Sequence, residues 1–178
     1  FEVPFEESRD RFIEGLDIMR TAWTQDAFTY SGRFYNITEP ITCLPRPVQQ
    51  PYPPIYVACF SRPTVEMAAE QGYHTLFAPF AAAMMFGSVG AAVQTYKELS
   101  ASHGHTDARA KCSYFVNVVD SKAEELATKE RLRLYLHSVL PAFPGDRASA
   151  PPHIAYFADI VERLQKMKAE DFGERSIV

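Results

Sequence analysis

The sequence has little of several features that mark whole classes of protein. Its three cysteines, Cys43, Cys59 and Cys112, are too few and too widely spaced for a disulfide framework, which favours a reducing, cytoplasmic setting. Lys and Arg number 18 against 22 Asp and Glu, so the net charge is −4. Without an excess of positive charge the chain is not expected to bind nucleic acid.

Long apolar runs and targeting signals are also missing. The most apolar stretch, residues 75–92, is interrupted by Pro79, Gly87 and Gly90, so we expect no membrane segment. The N-terminus is acidic and shows no signal peptide. A hydrophobic content of 47% is ordinary for a globular protein, and a length of 178 residues predicts one domain over residues 1–178. Because the chain starts at Phe1 and ends inside an apparent strand, we interpret it as a fragment of a longer protein.

The apolar pattern of the chain alternates between helical and strand periods. An amphipathic helix from near Glu6 and a hairpin at Ser31-Gly32 come first, followed by Pro40–Pro54, where six prolines exclude helix. Strands are then predicted at residues 55–60, 73–77, 112–119 and 176–178. Helices are predicted at residues 65–72, 89–102, 121–140 and 154–167, and residues 79–87 are a loop or a short helix. This order predicts a parallel α/β sheet and about half of a (β/α)₈ TIM barrel.

The turn Ser61-Arg62-Pro63-Thr64 follows a buried strand and begins a helix. Backbone N–H groups at a helix start attract anions, and Ser61 and Thr64 add hydroxyl groups while Arg62 adds positive charge. In a barrel this turn would lie at the ligand-binding end of the strands. The turn therefore predicts a phosphate site, although a simple N-cap role for Ser61 explains the same residues.

Three groups of residues resemble the bacterial luciferase-like flavin-dependent monooxygenase family. The first group is Arg11-Phe12-x-Glu14, Trp23 and Phe28-x-Tyr30-x-Gly32-x-Phe34-Tyr35. The second is Pro45-x-Pro47-x-Gln49-x-Pro51-x-Pro53-Pro54-Ile55. The third is Ser61 with Ala68-Ala69-x-x-Gly72. The resemblance extends from about Glu6 to Gly104 and more loosely to the end of the chain.

The resemblance implies a C-terminal part of a (β/α)₈ barrel, with about strands 5–8 and their helices. It implies that reduced FMN, supplied by a separate flavin reductase, or the deazaflavin F420 binds there, and that O₂ oxidises a small organic substrate. The flavin phosphate would contact Phe60 through its backbone, and Ser61 and Thr64 through their side chains. Family members often carry an acidic or small residue where Phe60 stands. The family's catalytic histidine would precede Phe1, so no catalytic residue is expected within this chain.

Two hypotheses about function follow from this resemblance. The chain is part of a flavin-dependent monooxygenase and is inactive alone, or it is a non-catalytic flavin-binding or assembly module derived from the barrel. Open parallel strand edges favour association, so we expect a homo-oligomer.

The other chemistry-bearing residues have ordinary structural explanations. Cys59 is expected to be buried and inert. His74 is expected in the core or at the surface, and no histidine has enough neighbours for a metal site. Residues 77–80 and 84–86 form an apolar patch that fits a substrate channel, a subunit contact or core packing equally well.

Overall fold

A computed structural model describes residue 4 and residues 7–142, 145–148, 150 and 155–172. The chain divides into two compact units, Phe1–Pro54 and Ile55–Val178. The predicted start of the first helix near Glu6 and the predicted strand at residues 176–178 lie outside the described residues.

The first unit is a helix followed by a hairpin. Helix α1 is Ser8–Thr24, and the antiparallel strands β1 (Phe28–Ser31) and β2 (Asn36–Ile41) form the hairpin. The predicted helix and hairpin are therefore confirmed, although β2 begins only after the aromatic pair at residues 34–35. Residues 42–54 contain neither helix nor strand, as their prolines predict.

The motif residues of this unit hold the hairpin against α1. The Glu14 carboxylate accepts hydrogen bonds from the backbone N–H groups of Phe34 (3.1 Å) and Tyr35 (2.8 Å). The guanidinium groups of Arg11 and Arg33 lie 4.4 and 4.6 Å from the centre of the Phe34 ring. Hydrogen bonds to a carboxylate are stronger than neutral ones, so Glu14 fixes the turn of the hairpin.

The second unit contains a parallel sheet in the order β3-β4-β5. The strands are β3 (Tyr56–Cys59), β4 (His74–Phe77) and β5 (Ala110–Cys112). The helices are α2 (Arg62–Glu70), α3 (Pro79–Phe86), α4 (Val89–Ser102), α5 (Lys122–Val139) and α6 (Tyr156–Lys166). Short 3₁₀ turns follow at Leu140–Ala142 and Ala169–Phe172. The two predicted strands at residues 55–60 and 73–77 are confirmed, and α4 has the predicted bounds.

The predicted strand at residues 112–119 is wrong in extent. Strand β5 ends at Cys112, which pairs with Phe77, the last residue of β4. Because α3 begins at Pro79, directly after β4, residues 113–119 have no adjacent part of β4 with which to continue the hydrogen-bonded ladder. Residues 113–119 carry only an isolated bridge at Phe115, and the side chain of Val118 is 90% exposed. Strand-forming side chains do not make a strand without a hydrogen-bonding neighbour.

The core of this unit has two parts. Side chains of α2 and α4 pack with those of the sheet, and Val65, Cys59, Phe77 and Tyr96 are almost fully buried. The Tyr96 hydroxyl donates a hydrogen bond of 2.8 Å to the Tyr73 carbonyl, which satisfies the only polar atom of its side chain. A second cluster joins α5, its 3₁₀ extension and α6 through Leu132, Leu136, Leu140, Val161 and Leu164.

Candidate functional site

The three parallel strands end at one edge of the sheet. Cys59 is in register with Phe77, and Phe77 with Cys112, so the strands stop at the same level. The residues that follow the strands therefore lie together at the carboxyl-terminal edge of the sheet. Phe60 and Ser113 are two of these residues. Ligands of parallel α/β proteins bind at this edge because the connecting loops converge there.

The turn between β3 and α2 is built around two hydroxyl groups. Ser61 is the N-cap of α2, with its backbone extended, and its Oγ accepts from the Thr64 backbone N–H at 3.4 Å. The two side-chain oxygens, Ser61 Oγ and Thr64 Oγ1, lie 2.8 Å apart. Ser61 is buried and Thr64 is half-buried. Ser61 therefore has the N-cap role that the sequence offered as the alternative to a phosphate site, and Thr64 Oγ1 lies beside it.

The remaining residues of this turn face outward. Pro63 lies in the first turn of α2, where its missing N–H costs no hydrogen bond. Arg62 is exposed, and its guanidinium group lies 4.5 Å from the centre of the Phe86 ring. The positive charge of Arg62 is thus held at the surface of the turn by a cation–π contact.

Phe60 connects this turn to a cavity. Its side chain is 42% exposed, and its ring centre lies 6.5 Å from that of Phe80 at the start of α3. Phe60 lines the cavity, whereas Ser61 and Thr64 do not. Of the three residues predicted to hold a phosphate, Phe60 therefore belongs to the cavity wall, whereas Ser61 and Thr64 lie outside it.

The cavity has a volume of about 430 Å³. Its wall on the sheet side includes Ala58, Leu76, Phe80 and Ser113, and on the helical side Tyr135, Leu140 and Ile160. Residues 77–80 of the predicted apolar patch contribute to this wall, whereas residues 84–86 do not. The contributions of α5 and α6 have no signal in the sequence, because periodicity shows that a helix is amphipathic but not which strand end it covers.

Comparison with known proteins identifies the family of this chain. Residues 1–174 match the family described as luciferase-like monooxygenase. The chain belongs to the luciferase-like monooxygenase family. The resemblance stated from the sequence motifs is therefore confirmed.

Two relatives of this luciferase-like chain illustrate the match. An uncharacterized protein, y4vJ, of Sinorhizobium fredii (strain NBRC 101917 / NGR234) is 39% identical over 77 residues, which are 43% of this chain and 21% of that protein. The crystal structure of monooxygenase RslO1 from Streptomyces bottropensis matches with a TM-score of 0.60 and 22% identity. That match covers 99% of this chain and 55% of RslO1, so the chain spans about half the length of that monooxygenase. At this identity the likeness establishes a mixed α/β fold similar to that of a monooxygenase.

Cys59 of this luciferase-like chain is buried, as predicted. Its side chain has no exposed surface, and burial raises the pKa of the thiol to about 12. A thiol with such a pKa is neutral near neutral pH and is a poor nucleophile.

His74 lies in the core rather than at the surface. Its ring centre is 4.8 Å from that of Tyr56, and its Nδ1 lies 3.4 Å from the backbone N–H of Arg109, which donates to it. Burial is the largest cause that lowers the pKa of His74, and the positive charges of Arg109 and Lys111 act in the same direction against Asp107. The neutral form of His74 is therefore favoured.

The described part of the luciferase-like chain lacks two features that metal binding and membrane insertion require. Within it, no group of three His, Cys, Asp or Glu side chains is arranged to hold a metal ion. None of the described helices is both long enough and apolar enough to span a membrane.

Proposed function

We propose that this chain forms part of a flavin-dependent monooxygenase that uses reduced FMN and O₂ to oxidise a small organic substrate. Membership of the luciferase-like monooxygenase family supports this proposal, and so does the likeness to a solved monooxygenase. The observation that carries it is the hydroxyl pair of Ser61 and Thr64 at the N-terminus of α2, at the carboxyl-terminal edge of the sheet.

The residues of this turn fit a phosphate group. Pro63 has no backbone N–H, and the Thr64 N–H is capped by Ser61. The first turn of α2 therefore offers a phosphate the N–H of Arg62 and the partial positive charge of the helix dipole. Ser61 and Thr64 bring two hydroxyl oxygens within 2.8 Å of each other, and either can act as the donor. We propose that the backbone of Phe60 and the side chains of Ser61 and Thr64 hold the flavin phosphate. When bound, reduced FMN supplies the electrons that activate O₂.

We further propose that the strands belong to a (β/α)₈ barrel. The described sheet is parallel, and each connection between neighbouring strands contains at least one helix. This connectivity is that of consecutive barrel strands, and β3, β4 and β5 would be strands 5, 6 and 7. The eighth strand of the proposed barrel falls at residues 176–178, outside the described residues.

The nature of the cofactor and partners is part of the same proposal. FMN and the deazaflavin F420 both present a phosphate group, so the same turn fits either, and we propose FMN. We also propose that a separate flavin reductase supplies the reduced flavin and that the protein is a cytoplasmic homo-oligomer. This chain alone is proposed to be inactive.

The proposal is tested by flavin binding and oxygen consumption of the intact gene product. We expect the protein to bind FMN in equilibrium dialysis and to consume O₂ when reduced FMN is supplied. Binding of F420 in place of FMN would correct the cofactor. Failure to bind either molecule would contradict the proposal.

The alternative, a non-catalytic flavin-binding or assembly module, has one observation in its favour. In the described sheet, β3 and β5 each pair on one side only, through β4, and open edges favour pairing with another chain. The same oxygen measurement separates the two functions. A protein that binds FMN but does not accelerate the consumption of O₂ would support the module.

A further inference from the structure

Among the described residues, those that line the cavity at the carboxyl-terminal edge carry no charge. All of the side chains that line it are apolar except those of Ser113 and Tyr135, and neither of these is ionic. An ionised ligand group that enters such a cavity loses part of its hydration and meets no opposite charge on the described wall, which disfavours its binding. The composition of the wall therefore selects against a charged ligand.

Aromatic rings give this cavity a broad apolar surface. Phe60 and Phe80 are 6.5 Å apart between ring centres, and Phe115 and Tyr135 meet edge to face at 6.0 Å. Aromatic side chains bury large apolar areas, and a tyrosine adds a hydroxyl that forms a hydrogen bond. The hydroxyls of Ser113 and Tyr135 suit a neutral polar group on an otherwise apolar ligand.

We propose that this cavity binds the hydrocarbon body of an uncharged substrate and excludes anionic substrates. The inference rests on the proposed function, whose substrate class it specifies. A volume of about 430 Å³ is suitable for a small organic molecule. Phe60 lines the cavity and directly precedes Ser61, so a substrate in the cavity would lie next to the turn that we propose to hold the flavin phosphate.

The first test compares two probes of equal chain length that differ in charge. Nile red is bound to the intact protein and displaced by octanol or by octanoate. We expect octanol to displace the dye more than about tenfold more effectively, because only octanoate must bury a charge without a partner. Equal displacement by octanoate would overturn the proposal.

Two variants test whether the probe occupies this cavity. Leu76→Glu places a carboxylate in the wall and should weaken octanol binding more than about tenfold. Leu134→Glu is the matched control, because Leu134 is also partly exposed and does not line the cavity. Ala58→Leu narrows the cavity and should weaken octanol binding more than butanol binding. If folded Leu76→Glu and folded Ala58→Leu both bind octanol with wild-type affinity, the proposal is wrong.

FMN titration of the same proteins separates this inference from the proposed function. If octanol is selected over octanoate but FMN does not bind, the cavity inference stands and the flavin proposal fails. If FMN binds but octanoate competes as well as octanol, the flavin proposal stands and the cavity inference fails. Circular dichroism confirms that each variant is folded.

Discussion

The carboxylate of Glu14 occupies the space into which a side chain on Gly32 would project. Its Oε1 accepts from the N–H groups of Phe34 and Tyr35 and thereby closes the hairpin onto α1. Two residues of the motif that helped to identify the family, Glu14 and Gly32, are thus explained by one packing arrangement. Gly32 leaves room for the carboxylate, and Glu14 satisfies two backbone donors.

Substitution of Gly32 should therefore destabilise the first unit. A methyl group at Gly32→Ala would displace the Glu14 carboxylate and leave two hydrogen bonds broken or weakened, at a cost of about 1–3 kcal/mol in the free energy of unfolding. Urea denaturation followed by circular dichroism measures this cost.

Gly15→Ala is the control for this change. Gly15 lies within α1, and a Cβ there would meet no atom within 4 Å. Alanine is the better helix former, so the control should gain roughly 0.5–1 kcal/mol. Equal effects of the two substitutions would show that Glu14 does not depend on the space beside Gly32.

Cys59 should resist thiol reagents in the folded protein. Burial raises the pKa of its thiol to about 12, so near neutral pH almost no thiolate forms, and the side chain has no exposed surface. Mass spectrometry after brief treatment with iodoacetamide should find Cys43, which is partly exposed, labelled well before Cys59. Labelling of both residues at the same rate would contradict this description of the core.

The same burial predicts a dependence of stability on alkaline pH. The folded pKa of Cys59 lies above the ordinary value of 9.0, so the unfolded chain releases the thiol proton first. The stabilising contribution is complete below pH 9.0 and is lost as the pH rises toward about 12. The free energy of unfolding, measured by denaturation, should decline less steeply with rising pH in Cys59→Ala than in the wild type.

His74 predicts the opposite dependence in acid. Its pKa is lowered from 6.5, chiefly by burial, so the unfolded chain binds a proton more readily than the folded chain. The contribution of neutral His74 to stability is complete above pH 6.5 and is lost as the pH falls below it. His74→Gln should lose less stability than wild type on acidification. An identical loss in both proteins would show that His74 is not the group responsible.

The sequence predicted elements best where the local signal and the tertiary setting agree. The buried run before Ser61 became β3, Ser61 and Pro63 began α2, and Ser88 caps α4 at the predicted start. Residues 112–119 have strong strand formers, but their partner strand ends at Phe77, and only the ladder decides where a strand stops.

The candidate site was only partly predictable for a similar reason. Ser61 and Thr64 are three residues apart at a helix start, so their contact follows from local geometry. The cavity instead joins residues from the sheet to Tyr135 and Leu140, which are distant in the chain. The packing of α5 and α6 over the strand ends depends on tertiary contacts that no single segment encodes.

The most direct measurement of the central claim compares FMN with riboflavin, which differ only in the phosphate group. In the intact protein, Ser61→Ala combined with Thr64→Ala should weaken FMN binding by several-fold or more while riboflavin affinity stays the same. Ser121→Ala, which removes the equivalent N-cap of α5, should cost about 1 kcal/mol of stability but leave both affinities unchanged. If the double variant keeps the wild-type ratio of FMN to riboflavin affinity, the turn after β3 does not hold the flavin phosphate.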